Sequence, residues 1–346
     1  MFRPFLADDG AIIRLRVPGG HVAVSLLAEI VAIAGDFGAP MVQLTNRGNL
    51  QLRALPDPLP VDLVDRLMAT GLLPSPDHER VRNIIAAPLN QRLRSTVREL
   101  DAAICADPAL SALPGRFLWA VSDASGSVLS EPWDLALQLL DADRALVLAG
   151  DHAIEVTQAN AVQAIVARAV AFLADRDAAT IWNVRDLPSS ASVFAGMHPH
   201  LASTTPALEP GPIGGHLVAG VPLGFLQDTH VQALTVVASH VTITPWRSIV
   251  VEDGNGATAG LRAGGFAVTS QSPWARLSAC VGAPSCRRTS SPTIELAQSA
   301  AMLMPAAGPR VHVVGCERSC GQPASPHVSI VAPTTVQHLL EAMAIA

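Results

Sequence analysis

Hydrophobic and polar residues alternate along residues 42–53, on either side of a polar turn. The apolar positions of this pattern are Val42, Leu44, Leu50 and Leu52. The intervening Gln43, Gln51 and Arg53 would point the other way, because successive side chains of a strand face opposite sides of a sheet. The pattern therefore predicts two half-buried strands joined by the turn around Arg47.

The order of elements around these strands occurs twice in the chain. Residues 11–55 read as a strand, a turn with Pro and Gly, a helix near 22–35 and a further strand. Residues 216–252 give the same order, with the helix near 229–239. A strand–helix–strand unit leaves sheet edges unpaired, which favours pairing of the two copies into one sheet. The alternative is a chance similarity between two common units.

Each copy is followed by a segment of a different kind. A long α/β stretch follows the first copy, a cysteine-bearing region follows the second, and residues 201–215 are rich in Pro, Gly, Ser and Thr. Such a composition is typical of a linker. We predict four domains, at residues 1–80, 81–205, 206–262 and 263–346. A final helix, with a threonine as candidate N-cap, is predicted within the last of them.

Composition restricts the class of protein. The 346 residues are 49% hydrophobic, which is enough to bury a large core. No apolar run approaches the roughly 18 residues that cross a bilayer. The first residues lack the basic-then-apolar order of a signal peptide. These features predict a cytoplasmic protein, in which disulfides rarely persist.

The charge is unevenly distributed along the chain. The net charge of -6 argues against general nucleic-acid binding. All 23 basic residues are arginine, so any anion site must use guanidinium groups, which bind carboxylates through paired hydrogen bonds. Residues 47–98 contain eight arginines and five acidic residues. This region is the best candidate for an anion site.

Four of the five cysteines form two pairs in the last quarter of the chain. Cys280 and Cys286 are separated by five residues, and Cys316 and Cys320 by three. The second pair follows a predicted strand, and one helical turn there would place both sulfurs on one face. Four thiolates on two short loops suit a [4Fe–4S] cluster. Zinc and unliganded thiols remain alternatives, whereas Cys105 reads as a small buried residue.

These cysteine spacings resemble those of the sulfite and nitrite reductase hemoprotein superfamily. Further likenesses are LTNRGNLQLRAL, HERVRNIIAAPL, LPGRF and TPWRSIVV, and they extend over nearly the whole chain. Within the superfamily, the chain most resembles the precorrin-3B synthases, especially the actinobacterial ones. The resemblance implies an α+β fold, in which a pseudo-two-fold repeat of ferredoxin-like half-domains forms one sheet. Each half-domain would be followed by an α/β domain of the nitrite/sulfite reductase type.

The resemblance also implies site residues. The cluster ligands would be Cys280, Cys286, Cys316 and Cys320. The tetrapyrrole substrate would contact Arg47, Asn49, Arg53, Arg82, Arg116 and Arg247. Leu118 stands where sulfite reductases carry a second lysine, which favours the synthase over a reductase.

The implied reaction is the O2-dependent conversion of precorrin-3A to precorrin-3B, with hydroxylation at C20 and γ-lactone formation. The implied cofactors are the [4Fe–4S] cluster and a mononuclear non-haem iron, and the electrons would come from NADH or a donor protein. Candidate iron ligands are His198 and His200 in MHPH, with His312 and His327 as alternatives. No nucleic-acid or membrane partner is expected.

Two other functions remain open. A siroheme- and [4Fe–4S]-dependent nitrite or sulfite reductase would share the cluster motif. A non-enzymatic tetrapyrrole carrier would bind precorrin-3A without consuming oxygen. The optical spectrum of the purified protein distinguishes the reductase, since bound siroheme gives an intense porphyrinoid band.

Overall fold

The computed structural model describes residues 4–305, 307–323 and 325–345. Residues 1–3 and 346, at the ends of the first and last predicted domains, lie outside the described residues. The strands form two five-stranded sheets, one six-stranded sheet and one three-stranded sheet. Helices pack against the sheets, which confirms the predicted α+β class.

The first half-domain contains five strands and two helices. They are β1 (Phe5–Ala7), β2 (Gly10–Leu15), β3 (His21–Ala23), α1 (Val24–Phe37), β4 (Val42–Leu44), β5 (Leu50–Leu55) and α2 (Val61–Ala69). Helix α1 buries Leu27, Ile30 and Ala34, whose spacing of three and four residues forms one apolar stripe. The predicted strand faces are confirmed, except that Gln51 is also buried and donates to Gln43 at 2.6 Å.

The second half-domain repeats this arrangement. Its elements are β12 (Gly211–Ile213), β13 (His216–Gly220), β14 (Phe225–Leu226), α5 (Asp228–Val237), β15 (His240–Ile243), β16 (Ser248–Val251) and α6 (Thr258–Ala263). Helix α5 packs against α1 of the first copy, so the apolar stripes of both helices share one core. The predicted repeat is therefore confirmed. The short strand β12 lies within residues 201–215, which the composition had assigned entirely to a linker.

The two copies form two sheets rather than the one continuous sheet that was predicted. The strand orders are β1-β2-β5-β4-β14 and β12-β13-β16-β15-β3, so each copy contributes one edge strand to the other copy's sheet. Phe225 of β14 pairs with Gln43, and Val22 of β3 pairs with Val241. This exchange covers one edge of each sheet. The prediction of a single sheet rested on the same physical reason, because unpaired edge strands expose backbone hydrogen-bonding groups.

The first α/β domain is a six-stranded sheet with two helices. Its elements are β6 (Ile84–Ala86), α3 (Leu93–Ala106), β7 (Trp119–Asp123), β8 (Leu135–Leu139), β9 (Arg144–Ala149), β10 (His152–Thr157), α4 (Ala161–Asp175) and β11 (His198–Pro199). Strands β6, β7 and β8 are parallel, and the following strands are antiparallel. Parallel neighbours need a crossover, which α3 supplies between β6 and β7.

The last domain is smaller and contains one parallel sheet. Its elements are β17 (Leu277–Ala279), α7 (Thr293–Ala301), β18 (Val311–Val314), β19 (Val328–Val331) and α8 (Val336–Ile345). The order β17-β18-β19 is parallel throughout, so the carboxyl ends of all three strands meet at one edge. Thr335 Oγ1 accepts from the amide of His338 at 3.1 Å, as expected for the predicted N-cap. Among the described helices, none has both the length and the apolar character to cross a membrane.

Candidate functional site

Arginines gather where the first half-domain meets the first α/β domain. Arg14 projects from β2, Arg47 lies on the turn between β4 and β5, and Arg116 directly precedes the β7 region. Arg47 Nη2 donates to the Arg116 carbonyl at 3.4 Å, and its buried Nε has no hydrogen-bond partner within the described residues. We refer to Arg14, Arg16, Arg47, Arg80 and Arg116 as the arginine cluster.

The members of the arginine cluster perturb one another electrostatically. Burial lowers the pKa of Arg16 to about 10, and the charge of Arg14 contributes, against the opposing charge of Glu79. Burial and the charge of Arg116 lower the pKa of Arg47. Closely spaced cations that shift one another in this way create a positive potential. An anionic ligand would relieve that repulsion.

Two asparagines hold the cluster in place. Asn83 Oδ1 accepts from Arg16 Nε at 2.8 Å and from Asn49 Nδ2 at 3.1 Å. Asn83 Nδ2 lies within 3.3 Å of the carbonyls of Arg80, Gly115 and Phe117. Asn49 Oδ1 accepts from the amide of Val17 at 3.0 Å. Asn49 is 2% exposed, and both ends of its side-chain amide are hydrogen-bonded within the protein. Its role as a substrate contact stays a prediction.

Arg82 and Arg53 are committed to internal ion pairs. Arg82 is 3% exposed and donates to both carboxylate oxygens of Asp101 at 2.7 Å, and also to the Leu72 carbonyl at 2.8 Å. Arg53 is bonded to Asp9 at 3.0 and 3.2 Å. Arg82 would therefore have to break its bonds to Asp101 and Leu72 to contact a substrate, so its predicted role stays a prediction. Arg53 would have to exchange its partner to bind a substrate.

The site residues predicted from the sequence did not include Arg14, Arg16 and Arg80. Arg14 and Arg16 alternate with apolar residues in the segment IIRLRV, just before the turn Pro18–Gly20. Alternation places Arg14 on the face of β2 opposite the core and directs Arg16, which directly follows the strand, to the same side. That signal was present in the sequence, but only the three-dimensional pairing of β2 with β5 shows that the face leads to Arg47.

The four predicted cluster cysteines lie on neighbouring loops. Cys280 follows β17 directly, and Cys316 follows β18 after Gly315, at the same edge of the parallel sheet. Cys280 Sγ accepts from the amide of Gly315 at 3.2 Å, so the two loops are in contact. Residues 315–321 form turns rather than the helical turn that was predicted. The reason is local, because Ser319 has a positive φ of 46°.

Four thiolates are the donors that a [4Fe–4S] cluster takes. Within the described residues, however, the four cysteines are not drawn together into a group that could hold a metal ion. Burial and the charges of Cys280, Cys316 and Cys286 raise the pKa of the Cys320 thiol, against the opposing charge of Arg318. All four cysteines are free thiols, and the other three are within electrostatic reach of Cys320. A β-carbon on Gly282 would meet Thr293 and Ser291, and one on Gly315 would meet Thr289. The glycines therefore let the loops pack closely around the thiols.

The second half-domain also contacts these loops. Arg247, on the turn between β15 and β16, donates from Nη2 to the carbonyl of Gly321. His312 of β18 is 0% exposed, and its Nδ1 lies 2.9 Å from Ser278 Oγ. Burial lowers the pKa of His312 to about 4, helped by the charges of Arg247 and His327. Arg247 thus lies at the cysteine loops, away from any acidic partner among the described residues.

The predicted second iron has no evident site. Among residues 4–305, 307–323 and 325–345, no three or more His, Cys, Asp or Glu side chains are grouped so that they could hold a metal ion. His198 lies exposed on β11, and the amide of His200 donates to the carbonyl of Asp151. The rings of His312 and His327 are 5.9 Å apart in an edge-to-face arrangement.

Comparisons with known proteins agree with this architecture. Residues 6–69 match the model of the nitrite/sulfite reductase ferredoxin-like half domain. The structure is similar to that of the Mycobacterium tuberculosis NirA protein, with a TM-score of 0.65 and 16% sequence identity over 90% of this chain and 69% of that chain. No curated protein matches the sequence. The chain therefore shares the fold of the NirA protein, and its residues 6–69 are similar to a nitrite/sulfite reductase ferredoxin-like half domain.

Proposed function

We propose that this protein is a redox enzyme acting on a carboxylated tetrapyrrole, namely a precorrin-3B synthase. The observation that carries the proposal is the arginine cluster, which combines mutual repulsion with a buried, unpartnered Nε on Arg47. Precorrin-3A carries acetate and propionate arms, and guanidinium groups bind such carboxylates through paired hydrogen bonds. Arg47 and Arg116 would bind these arms, while Asn83 and Asn49 keep the cluster oriented.

The cysteine loops would supply the redox group. Cys280, Cys286, Cys316 and Cys320 would hold the [4Fe–4S] cluster, which supplies single electrons when bound. In the overall reaction, one atom of O2 enters the product and the other leaves as water, with NADH or a donor protein as reductant. A mononuclear non-haem iron remains part of the proposal on the family resemblance alone.

A siroheme-dependent nitrite or sulfite reductase is the second candidate, favoured by the match of residues 6–69 to the nitrite/sulfite reductase ferredoxin-like half domain. Leu118 argues against it. Leu118 is 1% exposed and packs with Ile85, Ala120 and Val128, where the reductases of the family carry a charged lysine. An apolar buried side chain cannot donate protons to a small oxyanion.

The function is tested with protein purified without oxygen. We expect iron and sulfide in the preparation and no intense porphyrinoid absorbance band. Added precorrin-3A, O2 and a reductant should give a product heavier by one oxygen atom, measured by mass spectrometry. A stoichiometric siroheme that supports nitrite or sulfite reduction would instead establish the second candidate.

Replacement of Arg47 by glutamine tests the arginine cluster. We expect the dissociation constant for precorrin-3A to rise roughly tenfold, because one charged hydrogen bond to a carboxylate is lost. The absorbance of the iron–sulfur cluster should stay unchanged, since the Arg47 side chain donates to Arg116 in the first α/β domain and not to the cysteine loops. The control is Arg262→Gln, which removes an exposed arginine on α6. Equal affinities of the two variants would contradict the proposed carboxylate site.

A further inference from the structure

The fold builds the same junction twice. In the second half, the turn Pro222–Gly224 packs against β17, and the loop after β17 carries the first two cluster cysteines before α7 begins. In the first half, the turn Pro18–Gly20 packs against β6, and residues 87–92 connect β6 to α3. Each loop leaves the carboxyl end of a strand that pairs in parallel with its neighbour, β6 with β7 and β17 with β18. Such ends are common ligand sites in α/β folds.

A cavity of about 530 Å³ lies at the first-half junction, beside residues 87–92. This volume is within the range of small-molecule sites. Its lining includes Arg92, Arg94, Arg98 and His21, and no aspartate or glutamate among the described residues. Thr242 of β15 completes one wall, so both half-domains and the first α/β domain contribute to the cavity.

Most arginines of this cavity have no acidic partner among the described residues. Arg94 pairs with Glu252, whereas Arg92 and Arg98 are exposed and form no ion pair within the described part of the chain. The charge of Arg98 also lowers the pKa of Arg94, after burial.

The pKa of His21 is lowered in part by the positive charges around the cavity. Its ring stacks on His240 with the centroids 5.2 Å apart. Burial lowers its pKa to about 4, and the charges of Arg94, His240 and Arg98 contribute. His21 is therefore neutral at pH 7, and its buried Nδ1 has no hydrogen-bond partner in the described residues. A neutral imidazole can donate a hydrogen bond to a ligand or accept one from it, and it adds no charge to the cavity.

We propose that this cavity is a second ligand site, which binds a phosphate-bearing small molecule. The guanidinium groups of Arg92 and Arg98 contact the phosphate, because a dianion with several acceptor oxygens matches two or more arginines. Leu93 and Val97 provide an apolar wall for the organic part of the ligand. The arginines of this site are different from those of the arginine cluster, so the proposal stands independently of the tetrapyrrole function.

Calorimetric titration of the full chain with ADP tests the proposal. Pyrophosphate should bind as well, whereas adenosine, which lacks phosphate, should not. We expect Arg92→Gln and Arg98→Gln each to weaken ADP binding roughly tenfold, the effect of one charged hydrogen bond. Arg262→Gln, which removes an equally exposed arginine outside the cavity, should leave the affinity unchanged.

Three results would overturn the proposal. The first is that the wild-type chain binds neither ADP nor pyrophosphate. The second is that both cavity variants bind ADP as tightly as the wild type. The third is that citrate binds as tightly as ADP, because the site would then select carboxylates rather than phosphate. Thermal unfolding of each variant confirms that the exposed substitutions leave the fold intact.

Discussion

Serine in place of Cys320 is expected to remove nearly all the iron and acid-labile sulfide from protein purified without oxygen. Cys320 lies with Cys280, Cys286 and Cys316 within electrostatic reach, at one edge of the parallel sheet. A [4Fe–4S] cluster needs four soft thiolate ligands, and a serine hydroxyl does not replace one of them. The Cys320 side chain is exposed, so the substitution removes a ligand without creating a cavity in the core.

Cys105→Ser is the matched control for this experiment. Cys105 is a free, half-buried thiol on α3, where burial raises its pKa. It lies outside the two cysteine loops, and we expect the variant to keep its full iron and sulfide content. Iron loss in both variants would point to a general effect of cysteine removal. An unchanged iron content in Cys320→Ser would exclude the proposed ligand set.

The local pattern of the sequence predicted the parts of the fold that depend on nearby residues. The alternation around Val42 and Leu52 gave strands whose apolar faces are buried. The helix predicted near 22–35 is α1, at Val24–Phe37. The exchange of β3 and β14 between the sheets was not predicted, because strand pairing over long sequence distances leaves no periodic signal in either strand.

In the candidate site, too, contacts between residues far apart in sequence could not be predicted. The cysteine spacing predicted two pairs of thiols, each within one short loop, and the structure places these loops in contact. The sequence around an arginine does not indicate which residue the arginine will pair with. Arg82 was expected at the substrate because of its motif, yet its carboxylate partner, Asp101, lies on α3. Conversely, Arg14 and Arg16 reach the arginine cluster through a sheet register that the sequence does not specify.

Alanine in place of Arg82 is expected to lower the free energy of unfolding by about 3 kcal/mol, the lower end of the range for breaking a buried ion pair. The substitution leaves the Asp101 carboxylate without either of its bonds to Arg82, and the Leu72 carbonyl without its donor. The side chain of Asp101 is 19% exposed, so water relieves part of the penalty. Urea unfolding followed by circular dichroism measures the change.

The control for Arg82 is Arg66→Ala on α2. Arg66 pairs with Glu29 and Asp36 at 2.8 and 2.6 Å, but these partners are exposed to solvent. Exposed pairs contribute about 1 kcal/mol or less, so this variant should unfold nearly as the wild type does. A second variant, Arg82→Met with Asp101→Leu, should recover much of the lost stability, because no buried charge then lacks a partner. Wild-type stability in Arg82→Ala, together with weaker precorrin-3A binding, would return Arg82 to the substrate contacts.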